Sequence, residues 1–101
     1  MRGIYRDRRD RLRASSEVFP SMLADFLETE VREDPRWCEE LLRGLDQACG
    51  GRPFAAQGSA YALKAGPDGV ELRNGDERRA ALRLAVTDLR RALAAWRRAI
   101  G

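Results

Sequence analysis

Apolar and polar positions alternate with period two most clearly between residues 58 and 74. Tyr61 and Leu63, then Val70 and Leu72, alternate with small or polar residues, and Gly66-Pro67-Asp68-Gly69 separates the two runs. Proline presets φ for a turn, aspartate bonds its own backbone, and glycine accepts positive φ, so this stretch predicts a β-hairpin. An isolated two-stranded hairpin is marginally stable in water. Its Tyr61/Leu63/Val70/Leu72 face must therefore lie on an apolar surface.

That surface is expected from helices on either side. Val18, Phe19, Met22, Leu23, Phe26, Leu27 and Val31 follow helical spacing after an entrance at Ser15-Ser16-Glu17-Val18-Phe19-Pro20-Ser21. Asp25, Glu28, Glu30 and Glu33 mostly take the other side, which makes this helix amphipathic with an acidic polar face. Asp34-Pro35 predicts a second start, an N-cap residue followed by proline at the first helical position. Trp37, Leu41, Leu42, Leu45 and Ala48 form its stripe, and Gly50-Gly51 is its stop. Arg52 to Gln57 reads as a connector with Phe54 turned inward.

The last segment supports two readings. Leu82, Val86, Leu89, Leu93, Trp96 and Ile100 recur at three and four residues, which suits one long helix capped by Asn74 or Asp76. Leu82, Leu84 and Val86 also alternate, with Leu84 off the helical stripe, which favours a short third strand or an irregular start over residues 80–84, the helix then beginning near Val86-Thr87-Asp88; strand or helix stays open over 77–86. A helix over 88–100 is common to both. The fold class expected is α+β: two N-terminal helices, a β-hairpin with or without that third strand, and a C-terminal helix packed on the sheet. The expected core is Phe19, Leu23, Phe26, Trp37, Leu41, Leu45, Tyr61, Leu63, Val70, Leu72, Leu89, Leu93 and Trp96.

Composition narrows the chemistry. A chain of 101 residues suits one domain, here 14–101, preceded by a basic arm over 1–13 that is expected to be frayed or helical. No apolar run approaches the roughly 18 residues of a membrane span, and no apolar stretch follows the arginines as in a signal peptide. A cytoplasmic protein with no membrane partner is the expectation. Cys38 and Cys49 are too few for a disulfide framework. The chain has no histidine for a zinc set or a His-based triad. Gly50-Gly51 lacks the strand, spacing and lysine of a phosphate-binding loop. The adjacent carboxylates Glu39-Glu40 and Glu33-Asp34 read as solvated surface. No enzyme activity, cofactor or metal is expected.

Charge changes the picture most. The net charge of +3 divides into +4 over residues 1–13, −6 over 14–50 and +5 over 51–101. The acidic middle suits a basic protein partner, with Asp25, Glu28, Glu33, Glu39 and Glu40 as the candidate contacts. The basic ends suit phosphate instead, as a small nucleic-acid-associated or regulatory protein, with Arg6, Arg8, Arg9, Arg90, Arg91, Arg97 and Arg98 as the candidate contacts. Oligomeric state is left open.

From Trp37 onward the chain resembles the small bacterial immunity proteins of contact-dependent growth inhibition and the YacL-like proteins. The resemblance runs through Trp37-Cys38-Glu39-Glu40-Leu41-Leu42-Arg43-Gly44-Leu45, Gly58-Ser59-Ala60-Tyr61-Ala62-Leu63 and Asp68-Gly69-Val70-Glu71-Leu72-Arg73-Asn74. It continues through Leu84 and Val86 to Leu89-Arg90-Arg91-Ala92-Leu93-Ala94-Ala95-Trp96. It covers about two-thirds of the chain and rests on core and turn positions. It implies a break near residue 85, and an α+β domain that binds and blocks a cognate toxin domain of nuclease type. The chain departs from that pattern in being net basic.

Overall fold

The computed structural model describes residues 2–76 and 78–101. Met1 of the expected arm and Glu77, in the approach to the last helix, lie outside the described residues. Strands β1 (Ile4–Arg6) and β2 (Leu12–Ala14) come first, followed by α1 (Ser21–Phe26), which runs on into a π-helical turn (Leu27–Val31). Helix α2 (Pro35–Cys49) precedes β3 (Phe54–Gln57), β4 (Tyr61–Gly66), β5 (Gly69–Asn74) and β6 (Leu82–Leu84), and α3 (Val86–Ile100) closes the chain.

The class is α+β, but the expected order of two N-terminal helices followed by a hairpin is overturned, because strands come first. Residues 4–6 and 12–14 form an antiparallel two-stranded sheet with Tyr5 opposite Arg13, where the sequence suggests a frayed or helical arm. The turn explains it. The Asp7 carboxylate accepts the N–H groups of Arg9 at 2.9 Å and Arg11 at 3.0 Å, and Asp10 takes φ = 61°, a conformation aspartate tolerates. Strands this short need only one or two inward side chains. Leu12 and Ala14 supply them, both 6% exposed, and their arginine neighbours hide that pattern.

The first helix is also corrected. Pro20 is its N-cap, so it begins at Ser21, and Val18 stands 47% exposed before it. Arg52–Gln57 is not merely a connector, since β3 adds a fourth strand.

The larger sheet has the order β3-β4-β5-β6, all antiparallel. Its register places Ala56, Leu63, Leu72 and Leu82 in one row and Phe54, Ala65, Val70 and Leu84 in the next. Both rows belong to the inner face. The outer face carries Ala55, Ala62, Lys64, Glu71, Arg73 and Arg83, as period-two alternation requires. The inner rows and the π turn meet Leu41, Leu45, Leu89, Leu93 and Trp96, all fully buried. Each such side chain contributes about 1.5–3 kcal/mol by leaving water. Trp37 is only partly buried at the edge of this cluster.

Helix α2 is bounded as its sequence suggests. The Asp34 side chain accepts the N–H of Trp37 at 3.1 Å. At the other end Arg52 N–H bonds Gln47 C=O at 2.9 Å and Gly51 N–H bonds Ala48 C=O at 3.1 Å, with Gly51 at φ = 91°, a Schellman arrangement. Mid-helix Gly44 has a different cause. A β-carbon there would overlap the ring of Phe54, which β3 lays across the helix at that point.

Candidate functional site

Residues 25–33 gather four carboxylates, and each holds another part of the chain. Asp25 accepts the phenol proton of Tyr61, whose ring also packs edge-on against Phe26 with centroids 5.6 Å apart. Loss of that phenol proton is disfavoured, first by burial and then by the Asp25 bond, so the Tyr61 pKa is raised. Glu28 accepts Ala14 N–H at 2.9 Å and the Arg13 guanidinium at 3.0 Å. Glu33 accepts Arg6 at 2.8 Å; that bond, with help from Leu12 N–H, keeps its carboxyl below the usual value. Glu28 and Glu33 thus take outward N–H groups of β2, which would otherwise be an open strand edge.

Glu30, not singled out from the sequence, is the buried member at 8% exposure. It accepts Ser59 N–H at 3.3 Å, Ser59 Oγ–H at 3.1 Å and Ala60 N–H. Gly58 lets the loop come this close, since a β-carbon there would strike the carboxylate. The grouping of Glu30 with the acidic polar face is corrected: it lies four residues after Phe26 and three after Leu27, on the apolar side of the helix, a signal the sequence carries.

The π turn ends at Arg32, with φ = 53° and ψ = −147°, a region that glycine occupies and other residues enter at a cost of about 1–3 kcal/mol. Its N–H bonds Leu27 C=O at 2.8 Å and its C=O accepts the Trp96 indole N–H at 2.6 Å, so both sides of the residue are locked.

The two candidate charge sets meet at two ion pairs, Arg6 with Glu33 and Arg97 with Glu39. Arg6 binds Glu33 and also donates to Ala99 C=O at 3.2 Å, capping the end of α3. Arg97 pairs with Glu39 at 3.0 Å and Arg90 with Asp46 at 2.6 Å, two turns apart along antiparallel α2 and α3. Arg90 holds the Asp46 carboxyl below its ordinary value. What seemed an acidic middle between basic ends is one chain folding its ends back onto its middle.

The structure brings six of the candidate residues onto one face. Glu39, Glu40, Arg90, Arg91, Arg97 and Arg98 lie on the solvent side of the α2/α3 pair, flanked by Arg36 and Arg43. Asp25, Glu28, Glu33 and Arg6 do not join them, because they tie the first hairpin, the π turn and β4 together. Arg8 and Arg9 sit at the β1–β2 turn. Glu40, Arg8, Arg9, Arg91 and Arg98 have no side-chain partner among the described residues.

Cys38 is buried with Sγ 3.4 Å from Leu93 C=O, and burial pushes its thiol up to about 11. Cys49 is exposed. Among the described residues no three Cys, Asp or Glu side chains gather as a metal site. Among the described residues no helix is long and apolar enough to cross a membrane. A hollow of about 650 Å³ lies over the β4–β5 turn among Lys64, Gly66, Gly69, Glu71 and Arg83. A smaller one of about 340 Å³ lies between β2 and the π turn. No family model matches the chain, and no curated protein or solved structure matches it at a significant level.

Proposed function

We propose that this protein is a non-enzymatic immunity or inhibitor protein that neutralises a cognate toxin domain by covering its active cleft. The observation that carries the reading is the α2/α3 outer face. There Arg36, Glu40 and Arg43 recur along α2, and Arg91 and Arg98 along α3, all exposed and free of the bridges between the helices. A rigid two-helix face with uncommitted charge recognises a protein surface of complementary sign, and charge governs on-rate and partner choice. The family resemblance supports the same class. Glu40, Arg91 and Arg98 are the contacts on this reading. Asp25, Glu28 and Glu33 act indirectly, by holding the scaffold.

The test is affinity capture of the tagged protein from its native cells after nuclease treatment. A stoichiometric toxin-like domain in the eluate, lost with Glu40→Arg or with Arg91→Glu/Arg98→Glu, is the expected result. Recovery of the protein alone overturns the reading.

A second reading is favoured by the uncommitted arginines Arg8, Arg9, Arg91 and Arg98, which suit a nucleic-acid phosphate backbone. Its mark is co-purifying nucleic acid released by rising salt.

A further inference from the structure

The pocket between β2 and the π turn has a composition that the proposed partner face does not explain. Arg11, Arg13 and Arg32 line it together with Glu28, Thr29 and Glu33. Both carboxylates are already committed. Glu28 uses one oxygen on Arg13 and the other on Ala14 N–H, and Glu33 is paired with Arg6. Arg11 has no side-chain partner among the described residues, and Arg32 has only its Nε–H bond to Thr29 C=O at 3.1 Å. That bond orients the guanidinium and leaves its terminal nitrogens open.

The backbone at Arg32 adds an independent observation. The residue occupies a glycine-type conformation, locked through both its N–H and its C=O. Glycine would relax there, yet the position holds a long cation at the mouth of a pocket. Strain kept in place by surrounding structure is characteristic of ligand clamps, and π turns recur at such sites.

We propose that this pocket binds a phosphoryl group between Arg11 and Arg32, with Arg13 as the supporting cation. Guanidinium forks match phosphoryl oxygens bidentately, and bonds to an ionised acceptor are roughly twice as strong as neutral ones. Arg13 is shared between Glu28 at 3.0 Å and Asp7 at 3.6 Å, so the positive charge open to an anion comes from Arg11 and Arg32. A volume of about 340 Å³ accommodates phosphate with a small attached group.

The decisive experiment is titration of the full chain, at constant ionic strength, with inorganic phosphate and separately with a dinucleotide phosphodiester. Backbone amide NMR shifts are the readout. Saturable shifts confined to residues 11–14 and 28–33 are expected. Arg32→Gly is expected to weaken binding by roughly tenfold or more, as loss of a charged bond requires. Its urea midpoint should stay at or above that of the parent, so lost binding is not lost fold. Arg11→Gln serves as the second variant because its backbone is unaffected. Tighter binding of phosphate points to a small phosphate ester, and tighter binding of the dinucleotide to a nucleic-acid backbone; either supports the site. No saturable shift with either probe, or binding undiminished in both variants, overturns it.

Discussion

The indole N–H of Trp96 reaches the carbonyl oxygen of Arg32, 2.6 Å away and 64 residues earlier in the chain. This bond joins the last helix to the end of the π turn and holds the strained residue in place. Trp96→Phe keeps most of the ring but leaves that carbonyl without its donor. It is expected to cost about 1–3 kcal/mol, whereas Trp96→Ala should cost about 3–5 kcal/mol. Arg32→Gly is expected to stabilise by up to about 1 kcal/mol, as released strain outweighs the added freedom of the unfolded chain. Urea unfolding of the three variants checks the set, and a destabilised Arg32→Gly would show that the residue is not strained.

The first hairpin belongs to the core. Leu12→Ala should therefore cost about 2–5 kcal/mol, toward the low end because a short hairpin can relax. A frayed arm would leave the urea midpoint unchanged.

Gly44 and Phe54 should be coupled. Alanine normally improves a helix interior by about 1 kcal/mol over glycine, but here its methyl group meets the Phe54 ring. Overpacking costs about 1–3 kcal/mol, so Gly44→Ala should destabilise the parent. In a Phe54→Ala background the same change should stabilise. A double-mutant cycle measures the reversal, and additivity would refute the contact.

Acid should weaken the fold through the interelement pairs. Arg6 depresses the Glu33 carboxyl from its ordinary 4.5, and Arg90 depresses Asp46 from 3.8. A carboxyl whose folded pKa is lowered contributes stability above its unfolded value and loses it as pH falls through the folded one. The Glu33 contribution should therefore fade below pH 4.5 and that of Asp46 below 3.8. Urea midpoints from neutral pH into the acid limb should show a shallower decline in Glu33→Gln and Asp46→Asn. High salt should shrink the difference, since both pairs are exposed. Identical acid limbs in parent and variants would count against these pairs.

The two thiols should differ sharply. With a pKa of about 11, buried Cys38 stays protonated near neutral pH, whereas Cys49 is accessible. A native thiol assay should register Cys49 promptly and Cys38 only on unfolding. Equal rates for both would contradict the packing of Cys38 against α3.

Local chemistry was legible wherever neighbours in sequence are neighbours in space. The Asp34-Pro35 start, the Gly50-Gly51 stop and the Pro67-Asp68 turn each follow from φ preferences and backbone bonding within a few residues. The inward rows of β4 and β5 were legible for the same reason, since period two is a property of one strand. Glu30 was legible in principle, as a carboxylate on an apolar stripe. Its partners at Ser59 and Ala60 were not, because they belong to a loop about thirty residues on.

What the chain determined by itself is its α+β class, the core stripe of α2 and α3, and the second hairpin. These depend on propensity and periodicity, which act over one or two turns. Tertiary structure alone decided that the arginine-rich start is a hairpin, since two inward residues make too weak a period to outweigh their charged neighbours. It also decided where the charges go. Arg6 meets Glu33 and Arg97 meets Glu39 across 27 and 58 residues, and only the fold says which opposite charges arrive within bonding distance. Coulomb attraction has no sequence period, so a segment's net charge could not reveal that most of its carboxylates are spent inside the molecule.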